Sequence, residues 1–137
     1  MDPVVHFEMP YEDSRRMARF YQSAFGWETK PLGKESGDYV LANTTETDDV
    51  GPKRRGVING GFFPKKSDYP AQQPAVVIAG EDIGAAMKKV KEAGGKVLGE
   101  PMEIPNIGRY VSFDDTEGNR VSMLEPTQEN KDKSKAL

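Results

Sequence analysis

One order of elements occurs twice in this chain: a short apolar strand-like run, an amphipathic helix, a glycine stop and further strand-like runs. Laying Asp13 on Asp82 shifts the sequence by about seventy residues and brings these pieces into register, the mark of an internal structural repeat. In residues 13–24, Met17, Phe20, Tyr21 and Ala24 fall at i, i+3, i+4 and i+7 and predict one buried stripe. Ile83, Ala86, Met87 and Val90 repeat that design in residues 82–93. Asp13 or Ser14 can cap the first helix, Gly26 sits where a left-handed terminator belongs, and Gly94-Gly95 stops the second helix. The strand-like runs are 4–9, 27–31, 38–42 and 56–63 in one half, and 75–79, 96–99, 108–113 and 120–125 in the other. Between the last two, Asp114 to Asn119 has hairpin chemistry, since Gly118 and Asn119 tolerate positive φ. The expected fold is α+β: two tandem βαβββ modules, residues 1–66 and 67–126, within one structural domain, linked through the polar connection 64–74. Residues 127–137 are polar and aperiodic and read as a disordered tail. Residues 43–55 read as a mobile surface loop.

Composition removes several kinds of chemistry. With no cysteine in 137 residues there is no disulfide framework, thiolate nucleophile or Cys-ligated zinc. His6 is the one imidazole, so a metal site needs carboxylates as well. A net charge of -3 and a pI near 5.3 give no uniform field for a polyanion, and Lys53-Arg54-Arg55, preceded by Asp48 and Asp49, reads as a solvated loop. We expect no nucleic-acid partner and no membrane partner, because no apolar run approaches the ~20 residues of a span. The start of the chain does not have the pattern of a secretion signal, and a cytoplasmic location is the expectation.

Strand parity picks out the candidate chemistry. On the first strand Val5, Phe7 and Met9 share one face, which should pack on the helices, so His6 and Glu8 point to the other. They stand ~7 Å apart along the strand, close enough to serve one ligand as an acid/base pair, since His titrates near neutral pH and burial tunes Glu. The other reading of the pair is a partly exposed polar strand face. Asn59, Arg109, Tyr110 and Arg120 are further polar residues on inner strands. An arginine there either holds a carboxylate or phosphate bidentately or pairs internally with Glu8 or Glu103. Gly60-Gly61 within a strand suggests a bulge, a close approach to a ligand or a tight bend. Trp27 reads as core or dimer-face packing rather than a stacking platform. Serine-elbow and phosphate-cradle motifs are missing.

Several phrases match a known family in order. Phe7-Glu8-Met9-Pro10, Asp13-Ser14-Arg15-Arg16 and Phe20-Tyr21-Gln22-Ser23-Ala24-Phe25-Gly26-Trp27 resemble the opening of the vicinal oxygen chelate superfamily, which contains glyoxalase I, bleomycin-resistance proteins and extradiol dioxygenases. Gly60-Gly61-Phe62-Phe63-Pro64, Glu81-Asp82-Ile83, Gly94-Gly95-Lys96-Val97, Ile104-Pro105-Asn106-Ile107-Gly108-Arg109 and Asp115-Thr116-Glu117-Gly118-Asn119-Arg120 continue the match. The resemblance covers the chain from about Val4 to Glu125 and is strongest to glyoxalase-related proteins whose first helix ends in Phe-Gly-Trp. It implies paired βαβββ modules forming a cupped mixed sheet around a cavity, in a homodimer. In metal-dependent members four side chains, one from each of four inner strands, bind a divalent ion that acts as a Lewis acid.

Carried over by register, the resemblance puts His6 on the first ligand position, the second near Asn59 or Gly60, the third on Ala75 and the fourth on Ser122. Alanine cannot bind a metal and serine is a poor ligand. The expectation is therefore no cofactor and no bound metal. His6 and Glu8 would be catalytic, and Asn59, Arg109, Tyr110, Arg120 and Ser122 would contact a small-molecule ligand. Two readings stay open: a metal-free enzyme or degenerate lyase/isomerase relative acting on a small polar metabolite, and a resistance-type protein that sequesters a compound without chemistry. A metal-dependent glyoxalase-type lyase is disfavoured by the missing donors.

Overall fold

A computed structural model describes residues 1–68 and 72–135. The elements run β1 (Val4–Tyr11), α1 (Ser14–Phe25), β2 (Glu28–Pro31), a short 3-10 turn (Lys34–Ser36), β3 (Val40–Asn43), β4 (Asn59–Pro64), β5 (Ala75–Ala79), α2 (Ile83–Glu92), β6 (Lys96–Ile104), β7 (Gly108–Asp114), β8 (Arg120–Pro126) and α3 (Gln128–Lys135). This is the α+β arrangement of two βαβββ modules, and the helices and strands fall close to where periodicity put them. The chain divides into two compact units, His6–Pro74 and Ala75–Leu137 with Met1–Val5. The break thus lies at Pro74 rather than after residue 66. The first residues go with the second unit because the Pro3 carbonyl accepts a hydrogen bond from the Ala79 amide at 3.0 Å.

Each unit builds its sheet by the same rule. In the N-terminal unit the strand order is β2-β3-β4-β1, with β1 parallel to β4 and the other pairs antiparallel. In the C-terminal unit it is β5-β8-β7-β6, with β5 parallel to β8. The repeat seen in sequence is therefore a repeat of topology. Val40, Ala42 and Phe62 form the buried centre of the N-terminal unit, with Phe7, Met9, Tyr11, Met17, Tyr21 and Trp27 packed around it. Ile83, Val111, Phe113 and Met123 do the same in the C-terminal unit, where Ala86, Met87 and Val90 deliver the stripe expected of α2.

Helix α1 departs from expectation. Met17 and Tyr21 reach the core, but Phe20 is 53 % exposed and Ala24 is also exposed. Tyr21 is drawn onto Trp27, whose ring stacks on it at 4.6 Å, and onto Phe62 at 5.2 Å. The helix is rotated towards those two rings, and the Phe20 edge of the apolar stripe turns outward. Trp27 is therefore core packing in this unit.

Both helices begin alike: Asp13 accepts from the Arg16 amide and Asp82 from the Ala85 amide, each at 3.0 Å. Replacing Asp82 with Ala should cost about 1 kcal/mol, read as a lower urea midpoint. An unchanged midpoint would show that the Asp82 cap contributes nothing net.

Three peripheral expectations change. Strand β6 continues through Gly99 and Pro101 to Ile104, because a register shift between Leu98 and Met102 absorbs them. Residues 43–55 are tied down: Thr47 bridges to Pro52, and Thr44 donates from its hydroxyl to the Ile58 carbonyl at 2.7 Å. Residues 128–135 are helical rather than a disordered tail, since Thr127 accepts from the Asn130 amide at the helix start and Lys131 donates to the Glu81 carbonyl. Residues 136–137 lie outside the described residues. Among the described residues no helix is long and apolar enough to cross a membrane.

Candidate functional site

Alternation along β1 sends Phe7, Met9 and Tyr11 into the core and leaves His6 and Glu8 on the opposite face. Val5, which parity groups with Phe7, stays exposed at the strand start. Glu8 is 7 % exposed, an unusual place for a carboxylate, because a buried charge is costly unless it is paired or hydrogen-bonded. Among the described residues no buried side-chain nitrogen or oxygen lacks a partner. Burial also acts on His6: removal from water disfavours the imidazolium and lowers its pKa from 6.5 to about 4. At neutral pH His6 is a neutral imidazole.

Strand β4 lies parallel beside β1, with His6 opposite Asn59 and Glu8 opposite Gly61. Asn59, Gly61 and Phe63 therefore share the His6 face, while Gly60 and Phe62 face the core. Of the two positions suggested for a second ligand, only Asn59 is on the correct face. Its amide is already engaged at both ends, accepting from the Thr44 amide at 2.9 Å and donating to the Thr47 hydroxyl at 2.8 Å. Asn59 clamps the 44–47 loop. The glycine pair is neither bulge nor bend but regular strand. A Cβ at Gly60 would overlap the Phe7 ring and one at Gly61 the Tyr39 ring, so two aromatic side chains lie flat on this backbone, one on each face.

Tyr39 was not among the residues singled out from sequence. Its hydroxyl and His6 Nε2 share a hydrogen bond of 2.9 Å, and the two rings lie 21° from parallel. The signal was available: Val40 and Ala42 are the buried members of β3, and the same alternation puts Tyr39 and Leu41 on the other side.

In the C-terminal unit, Val111, Phe113, Val121 and Met123 face α2, so Tyr110, Ser112, Arg120, Ser122 and Leu124 occupy the other face. Ser122, 3 % exposed, joins the Tyr110 hydroxyl at 2.6 Å and the Ser112 hydroxyl at 3.0 Å. Arg120 pairs with Asp114 at 3.5 Å. Arg109 is not with them. It shares parity with Val111 and reaches Glu103 at 3.5 Å in an exposed ion pair, the internal pairing that sequence left open.

The four positions that the family resemblance assigns to a divalent metal can be judged by donor chemistry. His6 is a good donor whose Nε2 is bonded to Tyr39, Asn59 is committed to a loop, Ala75 has no donor, and Ser122 offers a hydroxyl within a hydroxyl cluster. Among the described residues no group of three or more His, Asp or Glu side chains converges. These residues do not fit a four-donor metal site.

Comparison with known proteins agrees with this architecture. A glyoxylase-like domain-containing protein of Didymella fabae is 29% identical over 114 residues, covering 82% of this chain and 84% of that protein. Among solved structures, a methylmalonyl-CoA epimerase in complex with methylmalonyl-CoA and ammonium superposes with a TM-score of 0.68 at 16% identity, over 93% of this chain and 96% of that one. The methylmalonyl-CoA epimerase of Mycobacterium tuberculosis superposes with a TM-score of 0.66 at 12% identity, over 94% and 91%. Likeness at such identities concerns the fold. The model of the Glyoxalase/Bleomycin resistance protein/Dioxygenase superfamily matches residues 4–123, and the chain belongs to that superfamily.

Proposed function

We propose that this protein is a metal-free relative of the lyases and isomerases of its superfamily, moving a proton on a small polar metabolite. One observation carries the reading: an imidazole and a carboxylate, both withdrawn from water, stand two residues apart on one face of β1. Such groups cluster at functional sites because burial sets their protonation state for a task. Glu8 is the group suited to accept a proton from the substrate. His6, uncharged at neutral pH, serves as a hydrogen-bond partner for the oxygen on which negative charge develops, as a neutral imidazole does without itself titrating.

The test begins with a thermal-shift screen of small polar metabolites, because a ligand at a hundred times its dissociation constant adds about 2.7 kcal/mol. With a hit in hand, Glu8→Gln should abolish turnover and leave binding measurable, and His6→Ala should do the same. Undiminished turnover in Glu8→Gln would exclude the acid/base assignment. Binding without turnover in the wild type would make the protein a sequestering one.

A further inference from the structure

We propose that Tyr39 is a positioning residue that holds His6 in one tautomer, and that Gly61 is glycine so that Tyr39 can do so. This rests on the reading of His6 as a functional imidazole. Four separate features fix the phenol in place. Asp38, immediately before it, has φ 55, a left-handed conformation that a residue with a side chain adopts at a cost. The Tyr11 hydroxyl donates to the Asp38 carbonyl at 2.7 Å and anchors that turn. The Tyr39 carbonyl accepts from the Leu32 amide at 2.9 Å, which pins the backbone of the ring itself. Finally, Gly61 leaves bare backbone beneath the ring, where any Cβ would overlap it.

Backbone strain survives where the surroundings over-determine it, and it gathers at functional sites. Here the strained turn, its anchor and the bare glycine converge on one result, a hydroxyl 2.9 Å from His6 Nε2. A neutral imidazole has one donor and one acceptor nitrogen, and which is which follows from the bond that each makes. The Tyr39 hydroxyl can donate to Nε2 or accept from it. A phenol is a stronger donor than a neutral imidazole N–H, so donation to Nε2, which leaves the proton on Nδ1, is the arrangement the pair favours. Apolar packing does not require this: Tyr39 lies on the face opposite Val40, Ala42 and Phe62.

Because His6 is the one histidine, long-range proton–nitrogen NMR of the imidazole at neutral pH reads its tautomer without ambiguity. In the wild type one tautomer should exceed the other by up to about tenfold, as a net hydrogen bond supports. Tyr39→Phe keeps the ring and removes the hydroxyl, while Gly61→Ala keeps the hydroxyl and displaces the ring. Both should bring the tautomers towards the ratio of a free imidazole. A wild type that already shows the free ratio overturns the proposal, and so does a folded Tyr39→Phe protein whose His6 nitrogen resonances coincide with wild type. The outcomes separate from those of the acid/base reading: an ordered imidazole in a protein without turnover sinks the latter alone, and a disordered one in an active protein sinks only the role of Tyr39.

Discussion

Phe62→Ala is expected to lower stability by about 3–5 kcal/mol, a large share of the roughly 5–15 kcal/mol that holds a domain together. Phe62 is 1 % exposed at the centre of the N-terminal unit. Its ring lies between Phe7, edge-on at 6.4 Å, and Tyr21 at 5.2 Å. Neither can slide in to close the gap, since Tyr21 is stacked on Trp27 and Phe7 already rests on the bare backbone of Gly60. The cavity term is therefore retained in full, on top of the lost transfer energy of the ring. Urea unfolding should show a lower midpoint with an unchanged slope. A loss under about 1 kcal/mol would mean that α1 and the sheet repack around the hole, against the rigid aromatic packing described above.

Mild acid should destabilise the protein through His6. Above pH 6.5 the imidazole of His6 is neutral whether the chain is folded or not. Below it, the unfolded chain takes up a proton that the folded protein refuses until the pH nears 4, so the unfolded state is favoured progressively through that window. Going from pH 6.5 to 5 should cost about 2 kcal/mol, and the whole window about 3 kcal/mol. Asp13 and Asp115, both held below the usual carboxylate range by hydrogen bonds, add acid sensitivity only further down. Unfolding curves at pH 6.5 and pH 5 should differ in the wild type, and the difference should largely vanish in His6→Gln. Equal stability at the two pH values would mean that His6 is accessible to water in the folded protein.

Much of this was legible in the sequence because period-2 and period-3.6 patterns are imposed by burial. Asp13 and Asp82 mark both helix starts, and His6 and Glu8 share a face for the same reason that Phe7 and Met9 share the other. What stayed hidden needed either partner register or a rule applied evenly. Arg109, the strand neighbour of Tyr110, points to the opposite face. Parity from Val111 and Phe113 puts it on the α2 side. Asn59 and Gly60 could not be assigned faces until β4 was aligned on β1. Nor does composition reveal that a glycine pair is there for aromatic rings of its own chain rather than for a ligand. The orientation of α1 depended on Tyr21 finding Trp27, a preference between two aromatic faces that periodicity alone does not rank.

That His6 works as a neutral imidazole beside a buried carboxylate, with no divalent ion, is tested most directly by the metal content of protein purified without added metal. Zinc, nickel, manganese and iron should each fall far below stoichiometry, since the family resemblance puts two of its four ligand positions on Ala75 and Ser122. About one ion of any of these per chain would contradict it.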